Sequence, residues 1–560
     1  MLTSDNGNCT IESSQPSAKY AVKPSDGQQR LGGQWHPSVV VKRRSQVIRC
    51  AVNSRSVVPL NALLTFFLCS AILSAQQTSG PQKPAEPQAS ASSPAVATFR
   101  AQADLVFVPV VVKDRKGKPV GGLSKDAFRL EENGKPQAIS LFEEFHSPVV
   151  GATPSAIFDQ GYSNLAYNNA SELRLTILVL DLLNTSPLQR TDGKDDFIKF
   201  LNKGVVANQP VSLVCITSKG LKLVQPFTTD TNAMIETLKK LPIGAETIMA
   251  RENRVFSTIW QLRDIAQAFL GVPGRKAMIF AAGYVPDLVA EGSVWESSPY
   301  AASLHRMWKS LTDSNISVYP IRLLDWTRNP ARRGPASALD LRMREFSDAT
   351  GGNACLESND LMGCLSEAID DSRSYYMLGF LVQPTDRKPG WRNLKVKVAA
   401  EHVEVRARDG FYYGVPPFAD TKSVRDEEVN ALASSLGYSG VPMFVKVLPP
   451  DAAPADAGKT VTAFLMTIPA TSVRIDPSRP NPLDLDVGAI ALTRDTREAA
   501  EFFHPVHGNP NAELLRQWTR EGIKLQEKLQ LPPGSYDVRF LVRDNNASQI
   551  GTVVFPLDVK

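Results

Sequence analysis

The sequence predicts a multidomain protein with a doubly wound α/β domain inserted in a β-sandwich, followed by a second, all-β sandwich. Three observations lead there. Residues 172–372 alternate short apolar runs with longer amphipathic ones, the pattern of strands and helices around a parallel sheet. Residues 99–146 and 373–414 instead show two-residue alternation broken by turn signals, as do several stretches of 421–560. Neither of the first two β groups is large enough to stand alone, so they are expected to share one sandwich around the α/β insertion.

Within the insertion, strands are predicted at 173–181, 211–217, 221–227, 275–282 and 316–323. Helices are predicted near 194–203, 230–241, 254–270, 300–314, 338–350 and 359–372. The first strand, LRLTILVLD from Leu173, is apolar or β-branched at every position from 173 to 180 except Arg174, which suits burial on both sheet faces. VSLVCITSKGLKLVQPF turns at Lys219-Gly220 and supplies one antiparallel strand. In the β group, Lys116-Gly117 and Asn133-Gly134 mark hairpin turns. In the last region, strands are expected near 441–448, 459–469 and 485–493, with a helix over 511–528. A terminal hairpin should turn at Asp544-Asn545-Asn546, and an immunoglobulin-like sandwich is the simplest reading.

Composition narrows the function. The chain has 560 residues, with 62 Lys and Arg against 57 Asp and Glu. Eight of those bases and three of those acids fall in residues 1–75, so the remainder carries 54 of each and is neutral. That balance argues against a nucleic-acid binder, which would show a basic footprint. Val57–Leu73, VVPLNALLTFFLCSAIL, follows Arg49 and Arg55 and leads into small residues, the order of a signal peptide cleaved near Ala75. Pro59, Asn61 and the short run disfavour a retained anchor; membrane contact is expected only through an uncleaved signal. Residues 1–48 lie upstream of a normal signal, and translation is expected to start later. Residues 76–98, rich in Pro, Ser, Ala and Gln, read as a tether, and 147–171 as a linker. In an exported protein, Cys355 and Cys364 are close enough in sequence to form a disulfide, with two half-buried thiols as the alternative. Cys215 reads as a buried apolar residue.

Ligands of open α/β sheets bind where strands reach the carboxyl edge. There the first strand ends in Asp181, with Asn184 and Thr185 just beyond. The segment Asp181–Thr185 resembles the Asp-x-Ser-x-Ser loop of von Willebrand factor A domains. VVVKDRKGKPVGGLSKDAFRLEENGKPQAI, VLDLLNTS, VPGRKAMIFAAGYVP, REFSDATGGNAC, SRSYYMLGFLVQP and VRARDGFYYG together resemble the VWFA-related domain proteins grouped from acidobacterial genomes, over about residues 100–413. That resemblance implies an exported protein with an A-type α/β domain. It also implies a metal-dependent adhesion site holding Mg²⁺ or Mn²⁺ through oxygens. Here the motif is degenerate: Leu183 stands at the first Ser, and Ala281 or Ala282 at the Asp that should end the fourth strand, with Asp287 several residues on. Asp181 and Thr185 remain as metal ligands, with Thr258 as a weak second-loop partner. The other reading has Asp181 fix the loop through backbone N–H groups. In either case the ligand-binding rim is Asp181, Asn184, Thr185, Gly283 and Tyr284.

Other candidates are weaker. His504 and His507 read as loop residues, with a metal pair as the alternative. Asp484 and Asp486 share one side of a strand, and calcium is the sharper reading. Tyr375, Tyr376, Phe411, Tyr412 and Tyr413 read as interdomain packing or as a sugar or peptide surface. No Gly-x-Ser-x-Gly or His-Glu-x-x-His motif occurs, and the chain has six histidines. The expectation is a non-enzymatic, metal-independent binding protein for a protein or cell-surface ligand. The alternatives are adhesion through Mg²⁺ or Mn²⁺ completed by a partner carboxylate, and a hydrolase whose site no motif reveals.

Overall fold

The computed structural model describes residues 105–146, 161–164, 175–203, 209–242, 249–272, 274–286, 288, 300–323, 338–356, 361–382, 389–414, 421–449 and 458–560. The expected leader (1–75), the tether (76–98) and Asp287 lie outside the described residues, as does most of 147–171. The chain opens with β1 (Leu105–Asp114), β2 (Phe128–Glu132), β3 (Lys135–Gln137), β4 (Leu141–His146) and a two-residue β5 (Tyr162–Ser163). An alternating stretch follows: β6 (Thr176–Asp181), α1 (Pro187–Asn202), β7 (Val211–Thr217), β8 (Gly220–Thr228), α2 (Thr231–Lys240) and α3 (Arg251–Ala268). It continues through β9 (Lys276–Ala282), α4 (Ala301–Asp313), β10 (Ile316–Arg322), α5 (Ala338–Asp348) and α6 (Leu361–Arg373). Four strands come next: β11 (Ser374–Leu381), β12 (Gly390–Val398), β13 (Val403–Arg406) and β14 (Gly410–Tyr413). The last part holds α7 (Thr421–Ala433), β15 (Phe444–Val447), β16 (Thr460–Ile468), β17 (Leu483–Thr493) and β18 (Glu498–Gly508). It ends with α8 (Ala512–Glu521), β19 (Ile523–Leu531), β20 (Gly534–Asp544) and β21 (Gln549–Val559).

The middle stretch forms a sheet of order β10-β9-β6-β7-β8. Its strands are parallel except β8, which runs antiparallel to β7. Because side chains alternate along a strand, β6 feeds two cores. Ile177 and Val179 pack with Ile259, Leu262, Trp308 and Phe346 on one face. Leu178 and Leu180 pack with Phe197, Phe200, Leu238 and Ile369 on the other. This two-sided burial is why the strand sequence carries no polar alternation.

β1 pairs with β11 and β13, and β2 with β12, so strands from before and after the α/β stretch close together as two four-stranded sheets. Val108, Val110, Phe128, Leu130, Tyr376, Phe380 and Phe411 fill the space between them. The terminal region likewise contains two four-stranded sheets, β19-β16-β15-β5 and β18-β17-β20-β21. Its first sheet includes β5, from the segment expected to be linker. Ser163 pairs with Phe444, Tyr162 stacks on Phe555 at 4.1 Å, and Asn164 Nδ2 donates to the Tyr438 and Val441 carbonyls. A two-residue strand has no period, so nothing in the sequence marked it.

Two further expectations change, and one reading stands. The predicted helix over 511–528 ends at Glu521, because Gly522 takes a left-handed φ of 77°. Beyond it, IKLQEKLQL alternates buried and exposed as β19. His504 and His507 sit on strand β18 rather than in a loop. Three residues apart on a strand, they point to opposite faces, His504 to Glu527 at 3.0 Å and His507 to Asp484 at 3.5 Å. The aromatic group is packing, not a ligand surface: Tyr375, Tyr376, Phe411 and Tyr412 are buried. Tyr412 stacks on His305 at 4.3 Å, and Arg392 lies over Tyr413.

A buried ion cluster joins the first sandwich to the amino edge of the parallel sheet. Asp371, fully buried on α6, meets Lys113 of β1 at 2.5 Å and Arg406 of β13 at 2.7 Å, and accepts from Tyr319 Oη at 2.8 Å. Arg275 donates to the same phenol at 2.7 Å, and Glu367 receives Lys113 and Arg406. Burial alone would raise the Asp371 carboxyl, but Arg275, Arg406 and Lys113 together hold it below 3.8. Its stabilising effect is therefore present above the unfolded value and is lost as pH falls through the lower folded one. Removing it leaves Lys113 and Arg406 with the partly exposed Glu367 and takes the acceptor from the Tyr319 hydroxyl. Asp371→Ala is expected to cost about 3–5 kcal/mol, and Asp371→Asn to flatten the acid limb of stability against pH; urea unfolding from pH 3 to 7 checks both.

The terminal region docks on α3. Ser439 Oγ accepts from Gly271 N at 2.9 Å and donates to the Ala268 carbonyl at 2.8 Å. Tyr438 Oη donates to Asp264 at 2.5 Å, and Glu427 of α7 pairs with Arg263 of α3 and Arg543 of β20. A Cβ on Gly271 would lie 2.0 Å from the Ser439 carbonyl oxygen, so only glycine permits this approach. Gly271→Ala is expected to destabilise by about 1–3 kcal/mol or more, read as a fall in the urea midpoint.

Candidate functional site

β6 delivers Asp181 to the carboxyl edge, and the chain then turns into α1. Ser186 accepts from Gln189 N at 3.4 Å while the Gln189 side chain returns to Ser186 N at 3.2 Å. With Pro187 in the first turn this is a capping box. It starts α1 seven residues before the predicted 194, and the signal was present as Ser186-x-x-Gln189. Gln189 Nε2 also donates to the Leu323 carbonyl at 2.7 Å, tying the helix start to the end of β10.

The turn closes on itself. Asp181, 1% exposed, accepts from Asn184 N at 2.9 Å on Oδ1 and from Asn184 Nδ2 at 2.7 Å on Oδ2. Thr185 Oγ1 donates to the Asp181 carbonyl and accepts from Gly283 N at 2.9 Å. Asn184 Nδ2 donates again, at 2.8 Å, to Thr258 Oγ1 on α3. The structure thus brings Asp181, Asn184, Thr185, Thr258 and Gly283 together, with Tyr284 half-buried at the rim. Leu183, at the expected Ser position, is 5% exposed and packs into the core. Ala281 and Ala282 are fully buried.

Burial pushes the Asp181 carboxyl up to about 7, against the opposing pull of Asn184, the Leu183 N–H and Arg190. Arg190, missed from the sequence, is buried and donates to the Leu182 carbonyl at 2.6 Å. Gly283 leaves room for Gln189, whose Oε1 would lie 2.5 Å from a Cβ there. The Asn184 amide nitrogen lies between two oxygens a cation would otherwise bridge. Among the described residues, no group of three or more His, Cys, Asp or Glu side chains is placed to hold a metal. Cys355 and Cys364 are joined, with Cα atoms 5.9 Å apart, and Cys355 N donates to the Pro320 carbonyl beside β10. Cys215 is buried in β7.

A parallel arrangement occurs on β17. Asn545 Nδ2 spans Asp484 Oδ1 at 3.1 Å and Asp486 Oδ2 at 2.9 Å. That amide stands where the sharper sequence reading put calcium.

Strand order and helix placement define a mixed α/β, multidomain protein whose central sheet presents its loops at the carboxyl edge. No protein-family model and no curated protein matches the sequence. Similar solved structures include proteins with von Willebrand A-type domains. One is an aerotolerance-related membrane protein from Bacteroides fragilis, 14% identical, covering 36% of this chain and 98% of its own, at a TM-score of 0.23. Another is proximal thread matrix protein 1 from the mussel byssus, 10% identical over 36% and 48%, at 0.23; that protein has also been solved with zinc in its metal-dependent adhesion motif. A third is the pilus adhesin SpaC from Lactobacillus rhamnosus GG, 9% identical over 69% and 52%, at 0.25. The chain spans about half the length of the byssus protein and of the adhesin. At such TM-scores these likenesses leave the fold to rest on the strand order itself.

Asn184→Ala removes the amide shared by Asp181 and Thr258 and leaves both oxygens short of a donor. It is expected to cost about 1–3 kcal/mol, measured by urea unfolding at pH 8.

Proposed function

We propose that this chain is an exported, non-enzymatic binding protein. Its von Willebrand A-like sheet would contact a protein or cell-surface ligand through the carboxyl edge, without a metal ion. The carrying observation is the Asn184 amide, whose Nδ2 holds Asp181 Oδ2 at 2.7 Å and Thr258 Oγ1 at 2.8 Å. A divalent cation would have to displace that amide, and it would then find only one carboxylate among the three side chains. An ion held through one carboxylate would depend on a partner or ligand for further anionic oxygens. The Cys355–Cys364 bond supports export, since such bonds persist in oxidising compartments. Among the described residues no helix is long and apolar enough to cross a membrane. Tyr284 and Gln189 form the accessible part of the rim, with Asp181 and Thr185 shaping the backbone beneath it.

Titration calorimetry of the full chain with Mg²⁺ and Mn²⁺ tests the metal clause. No heat of binding is expected in the wild type, and micromolar binding lost in Asp181→Asn would establish the metal-dependent alternative. For the face, immobilised chain is exposed to envelope extract with EDTA or with Mg²⁺. The expected result is the same bound species in both, at least tenfold weaker for Tyr284→Ala. Retention undiminished in Tyr284→Ala combined with Gln189→Ala would rule out this edge.

A further inference from the structure

Helix α7 buries two consecutive carboxylates, Glu427 and Glu428, 3% and 5% exposed. Its apolar support is slight: Ala431 and Leu432 pack with Tyr438, Leu541 and Ile550 in a small cluster of their own. The rest of its seat is charged. Glu427 is matched twice, by Arg263 of α3 and by Arg543 of β20. Through that carboxylate the helix joins the terminal sheets to the α/β domain. An element held by few apolar contacts and a layer of buried charge belongs to the part of a fold that opens first.

Glu428 is matched less well. Arg425, one turn earlier, reaches it at 3.5 Å, and is shared with Glu501 of β18 at 3.6 Å while lying over the Phe503 ring. Glu498 of β18 pulls on the same guanidinium. Asp486 of β17 faces Glu428 and repels it, and Arg543 of β20 offsets part of that repulsion. Asp486 is itself held by the Asn545 amide at 2.9 Å. Two carboxylates brought together out of water resist ionising at the same time. Burial first, then Asp486, pushes the Glu428 carboxyl up to about 7. Because the folded value lies above the ordinary 4.5, the stabilisation is complete below 4.5 and is lost as pH rises through about 7.

We propose that α7 is a pH-set clamp on the docking of the terminal region: with Glu428 protonated the helix stays seated, and ionisation of Glu428 lifts the helix and draws Glu427 away from Arg263. The proton on Glu428 removes one charge from a layer where Asp486, Glu427, Glu498 and Glu501 share Arg263, Arg425 and Arg543. Its loss returns the repulsion from Asp486 to a helix with little apolar surface to hold it down. Nothing in this reading depends on the carboxyl edge.

The test is amide hydrogen exchange of the full chain at pH 5.5 and pH 8, corrected for intrinsic exchange rates, with α2 as the internal reference. The α7 amides are expected to lose protection at least tenfold relative to α2 at the higher pH. Glu428→Gln keeps a neutral polar side chain at both pH values and should abolish that loss. Should this variant not fold, Asp486→Asn provides the second arm: without the facing charge, the loss should shrink at least threefold. Equal α7 protection at the two pH values in the wild type, or an undiminished loss in either folded variant, overturns the proposal.

Discussion

Asp371 is the point through which the first sandwich and the parallel sheet hold each other. It is fully buried, and its neighbours come from β1, β13 and β10. A charge in that position has to be matched, and matching it requires strands lying nearly 300 residues apart in sequence to arrive at one place. The cluster sits at the amino edge of the sheet. Arg408, which donates to the Thr312 carbonyl at 3.0 Å, and Tyr375, which accepts from Arg275 N at 3.2 Å, reinforce the same contact. With that edge occupied, the opposite edge carries the loops that begin at Asp181.

The loops themselves show how a buried carboxylate is matched by neutral groups. A carboxylate taken from water requires a partner. At Asp181 that partner is the Asn184 amide, a neutral group making two short contacts where a cation would make several. Asn545 bridges Asp484 and Asp486 in the same manner on β17. In both places a side-chain amide, fixed by a tight turn, does with hydrogen bonds what a bound ion does with charge. The loop is then held by hydrogen bonds within the chain itself.

The sheet strands and the helices that cover them were legible because each is long and each has one period: continuous apolar runs for β6 and β9, amphipathic spacing for α2 and α4. The candidate rim was legible in part. Asp181 stood at the end of a buried strand, but nothing local told that Asn184 would reach Thr258, 74 residues away. The start of α1 was readable in Ser186 and Gln189, and the strand after Gly522 in the alternation of IKLQEKLQL. In the second stretch the helical period ran on across residues that obey another rule. β5 was not readable at all, since two residues gain their strand identity entirely from the chain they join.

That last strand bears on the order in which the molecule takes shape as it leaves the ribosome. The strand pairings of the parallel sheet lie between Thr176 and Arg322 and its covering helices end at Arg373, so this part has its partners before the sandwiches do. β1 must wait for Leu381, and Tyr162 for Val445. Until then two sets of strand edges stand open on either side of a finished core, and open edges are what stray chains pair with. The sequence distances alone therefore let the α/β part close before the strands that flank it can pair.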